Sequence, residues 1–266
     1  MTSTPGGRLF ERLRPILLPA AIVAAVVVLL IRARDALERT PRFTVDPSAC
    51  SVTQRPPWVS DELARFIAFS VSRGLGKRAS LLDTADLQSW AVALAEASPW
   101  IESVEGLSPR FPAQADVRVH LRRPVLTVDG DILVAASGHV LGPGPVSIDP
   151  PPLAYAGRHL DADYRECAAA AGELVGHREE LRNLGVRVMR VGIGADDTVV
   201  FTTDTGAELS WGRSARKSPL SYLDLPPEAR LANLRQVLVD FPALKGVRRV
   251  QLWTDRPVVY KRATQG

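Results

Sequence analysis

The sequence is poor in the residues that most often build catalytic and metal centres. It has 2 cysteines, Cys50 and Cys167, and 4 histidines, His120, His139, His159 and His177. No CxxC pair and no His/Cys cluster occurs, so no zinc site with recognised ligand spacing can be read from it. The expectation is no metal site and surface or loop positions for the histidines. The two cysteines are expected as small buried thiols, a disulfide being the alternative in an oxidising compartment. No nucleophile elbow appears, and Gly192-Ile193-Gly194 is not a phosphate loop. Lysine is scarce; the cations are nearly all arginine and lie among acids, for a net charge of +4. A basic stripe of the kind nucleic acid needs is missing. With 46% apolar and 23% charged residues, the composition is that of an ordinary folded protein.

Long hydrophobic runs are also rare, with one exception. Residues 15–31, PILLPAAIVAAVVVLLI, carry no charge. As helix they reach roughly 25 Å, the short end of what crosses a hydrocarbon core. Arg14 and Arg32 flank the run. The expectation is one transmembrane helix at 15–33, a tail at 1–14, and every later residue on one side of the bilayer. A signal peptide fits less well, because Ile31-Arg32-Ala33-Arg34 is a poor cleavage site. The positive residues on the two flanks nearly balance, so charge alone does not orient the helix.

Beyond a charged connector at 34–42, two periodic blocks are separated by prolines and glycines. The first, 43–128, predicts strand, helix, helix, strand, strand. Residues 43–52 read as a broken strand. Ser60 can cap a helix with Leu63, Phe66, Ile67 and Val71 on one face, stopped at Gly74 and Gly76. Asp83 can cap a second, with Leu87, Trp90, Ala91 and Leu94 inward. Residues 115–122 alternate strictly, placing Val117, Val119 and Leu121 inward. Residues 129–152 contain a Gly-Pro-rich stretch and three consecutive prolines and read as a connecting hairpin and hinge. The second block, 153–262, predicts a long helix through Tyr164, Cys167, Ala171, Leu174, Leu181 and Leu184. It continues with a strand at 186–193 and a hairpin of 198–203 with 208–211 turned at Asp204-Thr205-Gly206. Next come a helix opened by Pro226-Pro227 and closing strands at 247–253 and 258–261. The fold class is α+β: a transmembrane helix, a small β-α-α-β-β module, then an antiparallel β domain with flanking helices.

Several local patterns, in this order, resemble those of the FtsQ/DivIB family of bacterial cell-division proteins. They are Gly74-Leu75-Gly76 followed by Leu81-Leu82-Asp83; Pro99-Trp100-Ile101, Val104 and Arg110-Phe111-Pro112; and Val119-His120-Leu121-Arg122-Arg123-Pro124-Val125. Further on are Leu133-Val134 with Gly138-His139-Val140-Leu141, Gly206-Ala207-Glu208-Leu209-Ser210-Trp211-Gly212, Arg230-Leu231, and Val250-Gln251-Leu252. Gln251 and Trp253 depart from the Asp and Arg usual in that family's closing strand. The resemblance implies a POTRA module at 43–128 and a β domain at 153–262. It also implies a single-pass protein of the inner membrane, N-terminus cytoplasmic, at the division site. Its role would be a non-enzymatic scaffold without cofactor, whose partners are bitopic coiled-coil proteins of the FtsB/FtsL kind and other divisome membrane proteins. No nucleic acid and no small-molecule substrate is implied. An anchored envelope-assembly protein unrelated to division is the alternative. Carried over by position, the partner-binding residues are Trp253, Val258, Val259, Tyr260 and Lys261.

One motif suggests chemistry. Asp204-Thr205-Gly206-Ala207 after an apolar strand is how retropepsin-like aspartic proteases present a carboxylate, two of which share a proton across a dimer. The same residues are those preferred in a hairpin turn, and Thr202-Thr203 is more polar than a buried catalytic strand needs. The expectation is a turn and no enzyme. Trp90 and Trp100 sit at core spacing. Trp211 and Trp253 lie on strands and can serve as core or as partner anchors. The last strand, 258–261, is expected at a sheet edge, where unpaired backbone groups can accept another strand.

Overall fold

A computed structural model describes residues 6–38, 40–45, 50–53, 55–74, 79–80, 82–143 and 148–262. The side chains of 6–18, 50–53, 70–74, 79 and 84 lie outside that description. The first element, α1 (Gly6–Glu38), is a helix of 33 residues. The expected membrane span does not hold: among the described residues, no helix is long and apolar enough to cross a membrane. Among the described side chains the apolar stretch ends at Ile31, where charged residues close it. Arg32, Arg34, Asp35 and Glu38 follow, and Arg34 pairs with Glu38 at 2.7 Å.

The α+β character is otherwise present. The first block contains β1 (Thr44–Val45), β2 (Cys50–Thr53), α2 (Asp61–Gly74), β3 (Ala79–Ser80), α3 (Thr84–Ala97), β4 (Ile101–Arg110) and β5 (Gln114–Leu121). Both expected caps form. The Ser60 hydroxyl accepts the Leu63 N–H at 3.2 Å, and the Asp83 carboxylate accepts from Ala85 and Asp86. Such caps satisfy donors that the first helical turn leaves unpaired. The sheet order is β2-β5-β4, with β1 and β3 paired separately. Leu63, Ile67, Trp90, Leu94, Trp100 and Val117 form the core between helices and sheet.

The second block builds one sheet of nine strands together with residues 124–143, so the end of the expected first block belongs to this sheet. Its strands are β6 (Pro124–Val128), β7 (Ile132–Ala135), β8 (Val140–Pro143), β9 (Leu153–Tyr155), β10 (Val188–Ile193), β11 (Thr198–Thr203), β12 (Glu208–Arg213), β13 (Val247–Gln251) and β14 (Val258–Lys261). Their order is β14-β13-β12-β11-β10-β9-β6-β7-β8. Between them run α4 (Tyr164–Val175), α5 (Arg178–Asn183) and α6 (Pro227–Asp240).

Three features differ from expectation. The sheet is mixed rather than antiparallel, since β6 with β9, β9 with β10, and β12 with β13 are parallel. Two of these pairs are joined through helices, α4–α5 and α6, because parallel neighbours need a long crossover. The expected long helix is two, α4 and α5. Its turn tightens where the His177 N–H bonds the Leu174 carbonyl at 3.0 Å, beside Gly176, a poor helix former. Leu184 is consequently exposed. Finally, residues 144–147 of the expected hinge lie outside the described residues, and the expected hairpin is built into the sheet rather than only connecting two blocks. Its strands β7 and β8 extend the nine-stranded sheet. Leu133 and Ala135 pack into the first core, while Val134 between them packs into the second with Leu126, Leu174 and Phe201. One strand is thus the wall between two cores.

Candidate functional site

A sheet edge carries a row of backbone donors and acceptors with no partner, and proteins usually blunt it with charge, proline or bulges. Edge strand β8 is blunted by Pro143, which has no N–H. Edge strand β4 is longer but carries two register shifts, Pro109 and the acids Glu102 and Glu105. β14, four residues long, is the other edge of the nine-stranded sheet and carries neither a proline nor an acid. It pairs only with β13, in the register Arg249↔Tyr260, Val250↔Val259, Gln251↔Val258.

The inward side of β14 follows from one bond. The Arg262 N–H donates to the Gly246 carbonyl at 2.9 Å, toward β13. Backbone polar groups alternate sides along a strand, so Tyr260 and Val258 also bond inward. Val259 and Lys261 turn their N–H and C=O groups out to the open edge. Side chains alternate across the two faces. Val259 packs against the helix-side core, and the Lys261 ammonium lies 5.3 Å from the centre of the Phe241 ring. Val258 and Tyr260 project from the other face and are 41% and 49% exposed.

That other face is polar. Asp196, Glu208, Arg248, Arg249, Gln251 and Tyr260 line a cleft of about 320 Å³. Arg249 reaches the Asp196 carboxylate at 2.5 Å, the Thr198 hydroxyl at 3.0 Å and the Ser210 hydroxyl at 3.2 Å. Burial opposes the Asp196 charge, but the Thr198 hydroxyl and Arg249 outweigh it and hold that carboxyl below its ordinary pKa. Of the cleft residues, Tyr260 was expected at the site from sequence, whereas Asp196, Arg248 and Arg249 were not. The signal for the two arginines is their place between Val247 and Val250, which marks a polar face but not what it faces.

The expected site residues do not all meet. Val258, Val259, Tyr260 and Lys261 form the edge. Trp253 lies in the loop between β13 and β14, half-buried. The Arg213 guanidinium stacks over its ring at 4.5 Å, and Asp224 holds Arg213 at 2.7 Å. The Trp253 indole N–H is buried without a hydrogen-bond acceptor among the described residues. Trp211 is core: 1% exposed, edge-on to Phe201, its N–H donated to Glu173 at 2.8 Å. Trp90 and Trp100 are core as well.

Asp204 lies exposed at the tip of the β11–β12 hairpin. Its N–H donates to the Arg187 carbonyl at 2.9 Å, and that of Gly206 to the Thr203 carbonyl at 3.0 Å. Gly206 takes a φ of +73°, a value that favours glycine. The Thr203 hydroxyl closes the turn by accepting the Ala207 N–H at 3.0 Å. Of the histidines, His120 faces Glu105, His159 faces Asp129 and His177 faces Glu180. Among the described residues no group of three His, Cys, Asp or Glu could hold a metal ion. Cys167 is a buried free thiol, its pKa pushed up to about 12 by burial and then by Glu166 and Asp163. The side chain of Cys50 lies outside the described residues. No protein-family model matches the chain, and no curated protein matches it significantly.

Proposed function

We propose that this chain is a non-catalytic scaffold that receives a partner's strand or extended peptide along β14. One observation carries the reading: β14 ends a nine-stranded sheet with one side unpaired, and its open side presents the polar backbone groups of Val259 and Lys261. Such groups supply affinity in strand addition, and flanking side chains supply selectivity. Val258 and Tyr260 on one face and the Arg249 cleft beside them are the selecting surfaces. The resemblance to FtsQ/DivIB proteins supports a place in the bacterial division machinery, with bitopic coiled-coil proteins of the FtsB/FtsL kind as partners. An envelope-assembly role outside division is the second reading, and the identity of the captured partner separates the two.

The test is a proline scan. Val259→Pro removes an outward N–H and leaves the β13 ladder intact, so its melting temperature falls no further than that of Val259→Ala, which loses the same packing, while partner capture falls about tenfold below that variant's, the effect of losing roughly 1.4 kcal/mol of backbone bonding. Tyr260→Pro removes an inward N–H and lowers the melting temperature itself. A folded Val259→Pro protein that captures FtsB/FtsL-type partners at full strength removes β14 as the site.

A further inference from the structure

Away from the β14 edge, four arginines gather where α5, the start of β10 and the chain before β6 meet. Arg178, Arg182 and Arg187 line a small cleft with Leu181, Val186 and Val188. Arg123 acts electrostatically on the same Arg178. Arg123 and Arg178 are held by backbone rather than by acids: Arg123 donates to the Asp149 carbonyl at 3.4 Å, and Arg178 donates to the Pro151 carbonyl. Each guanidinium has five N–H donors, so most remain unused. The Arg123 Nε is buried with no acceptor among the described residues. Arg182 and Arg187 are exposed, and among the described residues neither forms a side-chain hydrogen bond or an ion pair.

Asp149 is the carboxylate acting on Arg178 against this repulsion. Burial, then the charges of Arg182, Arg123 and Arg187, lower the Arg178 pKa to about 10. Like charges collected without matching acids cost stability. The arrangement is that of a site awaiting an anion.

We propose that Arg123, Arg178, Arg182 and Arg187 bind a phosphate-class oxyanion. Charge selects the class. Glu180 of α5 is held by Arg235. Four guanidiniums against Asp149 and the exposed Glu179 of α5 leave two positive charges, which a monocarboxylate relieves poorly and a dianionic phosphate relieves well. Guanidinium forks also match phosphate geometry in pairs. Size selects the mode of binding. The cleft holds only about 10 Å³, roughly one water, so an oxyanion binds across its rim and no organic body is engulfed. A free phosphate compound or a phospholipid headgroup presents the same group.

The test uses the full chain and three probes. The first is inorganic phosphate against chloride at matched ionic strength. At ten times its Kd, phosphate raises the melting temperature of the native chain by about 3–6 °C. The double variant Arg182→Gln/Arg187→Gln, at exposed positions, melts higher than the native chain in chloride, because repulsion is relieved, and gains nothing from phosphate. The second probe is vesicles of phosphatidic acid in phosphatidylcholine. Co-sedimentation that needs the acidic lipid and is lost in the double variant assigns a headgroup; phosphate stabilisation without it assigns a free ligand. The third probe is glutamate at the same ionic strength. Equal stabilisation by glutamate assigns the cluster to acidic peptide and overturns the phosphate proposal. An equal phosphate response in the double variant, or none in the native chain, overturns it as well.

Discussion

Asp204 shows how one residue type serves two chemistries according to where the backbone puts it. A shared-proton carboxylate needs a second acid at close range and a dry setting, whereas this one is exposed at a hairpin tip. Asp204→Asn is therefore expected to change stability by under about 1 kcal/mol and to leave partner capture intact. Peptide cleavage at acid pH by the native chain, lost in this variant, would revive the protease reading. Asp196 behaves differently. Its folded pKa lies below the ordinary value, so its contribution is present above the unfolded value of about 3.8 and is lost as pH falls through the folded one. Stability measured from pH 6 down to pH 2 should fall more steeply for the native chain than for Asp196→Asn. Equal slopes would separate Arg249 and Asp196 energetically.

At the scale of elements, β14 is short and closes with Lys261 and Arg262. Arg262 is tied to the Thr205 carbonyl at 2.5 Å. Edge charges of this kind discourage strand-to-strand self-association. Replacing Lys261 and Arg262 together with valine is expected to give concentration-dependent oligomers, read by light scattering, while the monomer keeps its fold. A double variant that stays monomeric at all concentrations assigns the protection elsewhere. The strand itself was legible in the sequence, because Pro257 and Val258-Val259-Tyr260 mark a start and a pleated surface. Which groups face outward was not, since that depends on the bulge at Arg248 and on the bond from Arg262 to Gly246. Trp253 was placed beside the edge by position in sequence; the cation–π contact with Arg213 places it elsewhere, because its loop folds toward Asp224.

At the scale of the molecule, β7 joins two cores that the sequence divides at a run of prolines. Leu133→Ala removes contacts from the first core and Val134→Ala from the second. Both are expected to lower one shared melting transition, Leu133→Ala by about 2–5 kcal/mol. Two transitions, each moved by only one of the variants, would make the cores independent.

The sequence by itself determined the local elements of this protein. Caps at Ser60 and Asp83, the alternation in 115–122, the Asp204-Thr205-Gly206 turn and the helix start at Pro226-Pro227 are written within a few residues, because 3.6-fold and two-fold periods and unpaired helix donors are short-range physics. Tertiary structure decided the rest. Parallel pairing of β12 with β13, the wall at β7 and the gathering of Arg123, Arg178, Arg182 and Arg187 bring together residues tens of positions apart, and no local period encodes such pairings. The apolar run at 15–31 marks the same boundary from the other side. Its composition suggested a span, but among the described residues no helix is long and apolar enough to cross a membrane.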